Sequence, residues 1–438
     1  MPGRRIMLLM PATSYRAGDF MAAARRLDAD VIVASDHSQV LAAFSGDRCL
    51  HVGLTPTDDN LRAIVGQAEC SGVTAVVGTD DSTVELAARA AAALRLPHNV
   101  PIAVSTARNK YAFRQALAAA GMPGPTYRLI DRRDDLAAVA AGLTYPCVLK
   151  PLALSASRGV IRADDPGGFL VAAERIAALL RRIYGAVDSV PATQILVEAF
   201  IPGTEVAVEA LLQDGRLQVL AVFDKPDPLE GPFFEETIYV TPSRLPEWRQ
   251  REIAMQVADA AAVIGLTTGP IHAEERCNAD GVFVIEIAPR SIGGRCSRAV
   301  TLADGLRLEE VILRQALGLP IDLAPSDTAS GVMMIPIQAA GRLQHVRGMD
   351  EARAVPGIDD VVISIPIGDE LVPLPEGDRY LGFIFASGDT PACVEAALRS
   401  AHRCLEFDIE FTDARLGSTK TADPLLVSPC ELGRQPFG

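Results

Sequence analysis

The chain has 438 residues, 49% hydrophobic and 22% charged, a length that suggests roughly two to four compact units and a composition far from that of a disordered segment. Its 41 basic and 55 acidic residues give a net charge of −14, which argues against duplex nucleic acid or an anionic membrane as the main partner, because both reward clustered Lys and Arg. No stretch approaches the roughly 20 apolar residues of a membrane helix, and the eight cysteines carry no metal-ligand spacing, so the cytoplasm is the expected location.

The opening apolar run, Ile6 to Met10, is cut off by Pro11 too early for a leader peptide and reads as a buried first strand. To about residue 100, short apolar runs (RRIMLLM, ADVIVAS, TAVVGT) alternate with helical stretches (FMAAARRL, TVELAARAAAALRL), the rhythm of a parallel sheet flanked by helices. Ligands of such a sheet sit beyond the carboxyl ends of its strands, here Pro11 to Asp19 and Gly78 to Ser82. No GxGxxG follows the first strand and no GxxxxGK[ST] occurs anywhere, which disfavours a dinucleotide site and removes a P-loop. One helix is predicted from Thr106 to Ala120, stopped by Gly121, Pro123 and Pro125. From Pro125 to Leu319, β-branched strands separated by turns, with helices near Phe169–Tyr184 and Glu247–Ile264, give α+β character. The last hundred residues hold three short strands (GVMMIPI, DVVISIPIG, YLGFIFA), a helix from Pro391 to Leu405, and a polar, proline-containing tail expected to be loosely held.

The most informative segment is GPIHAEERCNADGVFVIEIAPRSIGGR, residues 269–295. Ile271–Glu275 and Val282–Ile287 read as strands joined by a turn at Asp280-Gly281. With the loop centred on Asp280, Glu274 and Glu286 fall opposite each other on one face, and two carboxylates so close share either a proton or a cation. Magnesium held between them and a nucleotide's phosphates is the usual resolution, and strand alternation puts Arg290 beside those phosphates. An exposed hairpin with two solvated glutamates is the bland alternative. Earlier, YPCVLKPLALSASRGV delivers Lys150 at a strand end followed by a small-residue loop, with Lys110 as a partner lysine. QILVEAFIPGTEVAVEALLQ turns at Pro202-Gly203 into a strand with Glu205 and Glu209 on one face. An extended stretch of this kind offers backbone groups to a purine edge. The proline- and acid-rich segment 224–244 is expected to lie over the pocket as a lid.

Together and in this order, these segments resemble the ATP-grasp superfamily, most of all its carboxylate-amine ligases, including L-amino-acid ligases. The resemblance implies an α/β N-terminal parallel-sheet domain (residues 1–100), an α+β ATP-grasp pair (a small lid subdomain, 101–190, and a large one, 191–325) and a small α+β C-terminal domain (326–438) similar to that of biotin carboxylases. It implies nucleotide contacts from Lys110, Lys150, Glu198, the backbone of Ala199 and Phe200, and Glu205, with a mobile loop from Leu152 to Gly159 closing over the phosphates through Ser155 and Ser157. It makes Glu274 and Glu286 ligands of Mg²⁺ or Mn²⁺, Lys150 and Arg290 the catalytic cations, and Gly293 and Gly294 the turn that shapes the acceptor pocket. Glu235 and Glu236 are candidates to receive the amine, and Arg295 to hold a substrate carboxylate. Two departures stand out: Ala288 occupies the position of a frequent third metal ligand, an asparagine, and Ala153 and Ala156 replace common loop glycines.

The implied reaction joins a small-molecule carboxylate to an amine, amino acids foremost, through an acyl phosphate made from ATP, in an enzyme that is a homodimer by analogy. Two other readings stand beside it. One is a biotin-carboxylase-like enzyme that phosphorylates bicarbonate, although no biotin-carrier motif is present; the other is a nucleotide-binding regulator without turnover.

Overall fold

The computed structural model describes residues 4–37, 48–185, 187, 189–302, 305–324, 326 and 328–411. The tail expected to be loosely held lies outside the described residues.

The N-terminal unit runs β1 (Arg5–Leu9), α1 (Ala17–Arg26), β2 (Asp30–Ser35), β3 (Cys49–His51), α2 (Asp58–Ser71), β4 (Ala75–Gly78) and α3 (Val84–Ala93), with the parallel strand order β3-β2-β1-β4. Alternation along β1 explains why the sheet is covered on both faces. Ile6 and Leu8 pack with Phe20 and Ala23 of α1, whereas Met7 and Leu9 pack with Ile64 and Ala68 of α2 and Leu86 of α3. The carboxyl ends of β1 and β4 therefore open at one edge, carrying Pro11–Tyr15 and Asp80–Ser82.

The single helix expected over Thr106–Ala120 is two helices, α4 (Pro101–Arg108) and α5 (Lys110–Ala119). The break is Asn109, extended at φ −106° and ψ 105°, whose side chain caps α5 by accepting from the N–H groups of Tyr111 and Ala112. Gly121, at φ +73°, supplies the left-handed stop read from the sequence.

A small antiparallel sheet follows, built from β5 (Tyr127–Asp131), β6 (Cys147–Pro151), β7 (Ile161–Ala163) and β8 (Gln194–Ala199) in the order β5-β8-β6-β7. Helices α6 (Leu136–Ala141) and α7 (Pro166–Tyr184) cover one face, and the short α8 (Val190–Thr193) leads into β8. The main sheet is antiparallel and eight-stranded. It joins β9 (Thr204–Gln213), β10 (Arg216–Asp224), β11 (Ile238–Thr241), β12 (Gly269–Asn278) and β13 (Gly281–Ala288) to β14 (Ala329–Ile335), β16 (Ile358–Ile363) and β18 (Gly382–Gly388), in the order β13-β12-β9-β10-β11-β14-β18-β16. Between them lie α9 (Glu247–Ile264), α10 (Leu308–Ala316), β15 (Gly341–Arg347), α11 (Met349–Arg353) and β17 (Glu370–Leu371), and the described chain ends with α12 (Pro391–Cys404) and β19 (Glu406–Glu410). Helix α9 buries Ile253, Val257, Ala260, Ala261 and Ile264 against Val206, Val208, Ile271 and Ala273 of the sheet, a helical spacing that meets alternate strand residues. The opposite face of those strands is left for polar work. Among the described residues no helix is long and apolar enough to cross a membrane.

Segment 224–244 is only in part the cover its composition suggested: Phe234 and Glu236 line the cavity, but the stretch that follows them is a sheet strand. Ile238, Tyr239 and Val240 are fully buried as part of β11 in the middle of the main sheet, and Phe233 bridges to Ile161 of the small sheet. The prolines and acids only flank a short apolar run that the sheet takes up.

Candidate active site

The two sheets and the open edge of the N-terminal unit enclose a cavity of about 950 Å³. Its floor is the polar face of β9, β12 and β13. Register places His272 opposite Glu209, Glu274 opposite Ala207 and Arg276 opposite Glu205 on one side, and Glu274 opposite Glu286 on the other. The Glu274–Glu286 pairing depends on a bulge. From the turn, β12 and β13 pair Asn278 with Gly281 and so on to Glu275 with Val284; Ile285 is then extra, and pairing resumes at Glu274 with Glu286. Because side chains alternate, that one residue changes which face follows: Val282 and Val284 point into the core, but beyond the bulge Ile287 does so and Glu286 turns to the cavity.

Every cation on this floor is matched to a carboxylate. Lys110, at the start of α5, meets Glu286 at 2.8 Å and donates to the Leu154 carbonyl at 2.8 Å. Lys150 and Arg114 both grip the buried Glu198, each at 2.6 Å. Burial pushes that carboxyl up, but Lys150 and Arg114 outweigh it and hold it down at about 2. Glu198 therefore positions Lys150 rather than presenting a free carboxylate to a ligand. Arg276 donates to Glu205 at 2.9 Å. Arg290 donates to Asp81 at 2.7 Å, from the end of β4. Burial alone would raise Asp81, and the Arg290 and Arg108 guanidinium groups hold it well below the carboxylate range.

Sequence reasoning missed Lys225, at the end of β10. Its ammonium sits among Glu205 (2.8 Å), Glu274 (3.2 Å) and Glu236, with the Tyr239 ring centroid 5.0 Å away. These three carboxylates are close enough together to hold a cation, and the lysine supplies one. Burial lowers the affinity of Lys225 for its proton, yet Glu205, Glu236 and Glu274 raise it far above the usual lysine range. Burial would likewise raise Glu274, but Lys225 and then His272 keep it ionised, well below its ordinary value. The missed signal was an apolar strand delivering a lysine, LQVLAVFDK, the pattern already noticed in PCVLK.

The remaining expected residues divide. Ser155, Ser157, Ala199, Phe200, Glu236, Gly293 and Gly294 line the cavity. The N–H groups of Ala199 and Phe200 are committed, however, to the carbonyls of Thr126 (2.9 Å) and Pro146 (3.0 Å), so neither is free for a purine edge. Glu235 and Arg295 are not part of the lining; Glu235 instead accepts from the backbone of Ile337. The Gly293-Gly294 turn is fixed from below, where both carboxylate oxygens of Glu209 accept from the Ile292 N–H at 2.8 and 2.9 Å. Gly294 needs its φ of +60°, and a Cβ there would lie 3.0 Å from the Phe383 ring. Arg16, almost wholly buried, ties this turn to the N-terminal sheet through the Ser291 hydroxyl and the Thr79 carbonyl (2.8 Å).

The loop after β6 is held on two sides. Lys110 takes its Leu152 and Leu154 carbonyls, Gly159 donates to the Pro375 carbonyl at 2.8 Å, and Arg158 pairs with Asp378 at 2.7 Å. Ala156 and Ser157 both adopt left-handed backbone (φ 56° and 53°), which L side chains enter at a cost.

Residues 143–299 match the family model described as an ATP-grasp domain, and residues 333–410 match L-amino acid ligase C-terminal domain 2. The structure is similar to that of the L-amino acid ligase from Bacillus licheniformis, with a TM-score of 0.80 and 25% identity, covering 94% of this chain and 100% of that one. The dapdiamide A synthase of Enterobacter agglomerans is 26% identical over 245 residues, 54% of this chain and 55% of the relative. An uncharacterised protein of Sinorhizobium fredii is 26% identical over 421 residues, 94% of this chain and 84% of the relative.

Proposed function

The chain belongs to the ATP-grasp superfamily and is a carboxylate-amine ligase resembling the L-amino acid ligases, and from that premise we propose that it forms an amide bond between an amino acid's carboxylate and an amine through an acyl phosphate. The observation that carries this reading is the meeting, on one cavity, of Glu274 opposite Glu286 with Lys110, Lys150 and Arg290. Both carboxylates face the cavity and Glu274 is ionised, which fits a divalent cation, Mg²⁺ or Mn²⁺, with one ligand fewer than usual because Ala288 carries no donor. Such an ion would neutralise charge on the triphosphate.

The protein's own part is alignment and charge. Lys150, fixed by Glu198, and Lys110, fixed against Glu286 and the loop carbonyls, present ammonium groups to phosphate oxygens. A carboxylate oxygen of the acid attacks the γ-phosphorus; the bond to the bridging oxygen of ADP breaks, leaving an acyl phosphate. The amine nitrogen then attacks the acyl carbon, a C–N bond replaces the C–O bond to phosphate, nitrogen loses a proton, and phosphate departs. Arg290, oriented by Asp81, offers its guanidinium to that leaving charge. Glu236, anchored by Lys225 and Tyr239, stands at the wall where the amine arrives.

The test is a phosphate-release screen of purified protein over amino acids and other carboxylates, with ATP, magnesium and hydroxylamine as a general amine. A hydroxamate of one acid class is expected. Stimulation by bicarbonate and biotin alone, or ATP binding with no phosphate released from any pair, sinks the proposal.

A further inference from the structure

The ligase reading leaves a charge unplaced. An amino acid used as the amine brings a second carboxylate that is never activated and must be held away from the phosphates. The cations lining the cavity are largely spoken for: Lys110 by Glu286 (2.8 Å), Lys150 by Glu198 (2.6 Å), Arg276 by Glu205 (2.9 Å) and Arg290 by Asp81 (2.7 Å). His272 lies 3.6 Å from Glu209 and 3.7 Å from Glu274. Arg379 lines the same cavity and makes no hydrogen bond or ion pair with any described residue.

Its surroundings explain why. The neighbour before it, Asp378, is committed to Arg158 at 2.7 Å, and the neighbour after it, Tyr380, points its hydroxyl at Glu236, 3.4 Å away. The backbone carrying Arg379 is thus pinned on both sides while its own charge stays available. Asp369, the other unengaged charge on this wall, is a carboxylate and repels another. A guanidinium fork matches a carboxylate in two parallel hydrogen bonds. Arg295, the expected carboxylate holder, does not reach the lining.

We propose that Arg379 is a specificity residue that receives the free carboxylate of the amine substrate. This rests on the ligase reading above.

The test uses the full-length enzyme and the acid found by the hydroxamate screen. The twenty amino acids are offered as amines, and the best one is compared with its own carboxamide and with hydroxylamine. In the wild type, kcat/KM for the amino acid should exceed that for the carboxamide by about tenfold to a hundredfold, the range of a charge-assisted hydrogen-bonded pair. Arg379→Gln should erase that ratio through KM, and Arg379→Lys should retain part of it. A ratio near one in the wild type, or a ratio that survives Arg379→Gln, overturns the assignment while leaving the ligase reading standing. Absence of any hydroxamate removes both.

Discussion

Glu274 faces Glu286 across the β12–β13 ladder, and each carboxylate is met by a different lysine, Lys225 for the first and Lys110 for the second. The two lysines come from different layers, one from the end of a main-sheet strand and one from the helix that enters the small sheet. Burial would raise Glu274, but Lys225 keeps it ionised before any ligand arrives, which removes the cost of deprotonating that carboxyl on binding.

Neutralising either carboxylate should therefore damage turnover more than folding. Glu286→Gln and Glu274→Gln are each expected to lower acid-dependent phosphate release at least about a hundredfold, the scale of losing a main electrostatic contact, and to raise the magnesium concentration needed for half-maximal rate. Phosphate release under saturating magnesium checks this; a rate within threefold of wild type for either variant contradicts the assignment.

Lys225 is expected to be a stability residue as well as a site residue. Lys225→Met leaves Glu205, Glu236 and Glu274 without their shared ammonium, and removing one member of a buried charge cluster typically costs about 3–5 kcal/mol. Urea unfolding at neutral pH reads it directly. A midpoint shift equivalent to under about 1 kcal/mol would mean water already screens the cluster.

Glu198 provides a pH signature. Its folded value, about 2, lies below the ordinary carboxyl value of 4.5, so the unfolded chain binds the extra proton and the grip on Lys150 and Arg114 stabilises the fold fully above pH 4.5. That contribution is lost as pH falls from 4.5 through 2. Glu198→Gln should unfold more easily than wild type at pH 7, by about 3–5 kcal/mol, and the difference between the two should shrink through the acid range. Thermal melts across pH 7 to 3 measure it, and a difference that grows on acidification is the wrong sign.

Much of the site was legible because strand patterns are local. Ile271–Glu275 and Val282–Ile287, with Asp280-Gly281 between, announce a hairpin, and Glu274 with Glu286 was the right pair. The count behind it was wrong: the turn lies between Asn278 and Gly281, and the bulge at Ile285 restores the pairing that a loop centred on Asp280 assumed. Nothing in VFVIEIA marks where an extra residue sits, since Val, Ile and Phe suit either face. Arg114 and Asp81 were invisible for another reason. Each looks like an ordinary surface charge in its own helix or loop, and only contacts across 84 and 209 residues, to Glu198 and Arg290, give them meaning. The lid expectation went too far because composition was weighed over a four-residue run, IYVT, that the main sheet takes up between β10 and β14.

The loop after β6 meets the C-terminal segment Pro375–Asp378 through a clasp whose centre is Glu376. Arg175 of α7 donates from Nε and Nη2 to its two carboxylate oxygens, at 2.5 and 2.9 Å, while Arg158 and Arg182 donate to its carbonyl at 2.9 and 3.3 Å. Burial would raise this carboxyl, and Arg175 lowers it. The pair is partly exposed, so Glu376→Ala should cost no more than about 1 kcal/mol of global stability. Its effect should appear locally, because the same clasp restrains a loop whose Ala156 and Ser157 sit in left-handed backbone and whose Ser155 and Ser157 line the cavity. With Arg175 no longer anchoring the segment whose backbone and Asp378 hold it, that loop should be cut several times faster by a nonspecific protease between residues 152 and 159, and the KM for ATP should rise severalfold with kcat for hydroxamate formation less affected. Cleavage and KM both unchanged in Glu376→Ala would show that Lys110, through the carbonyls of Leu152 and Leu154, holds the loop without help from the C-terminal segment.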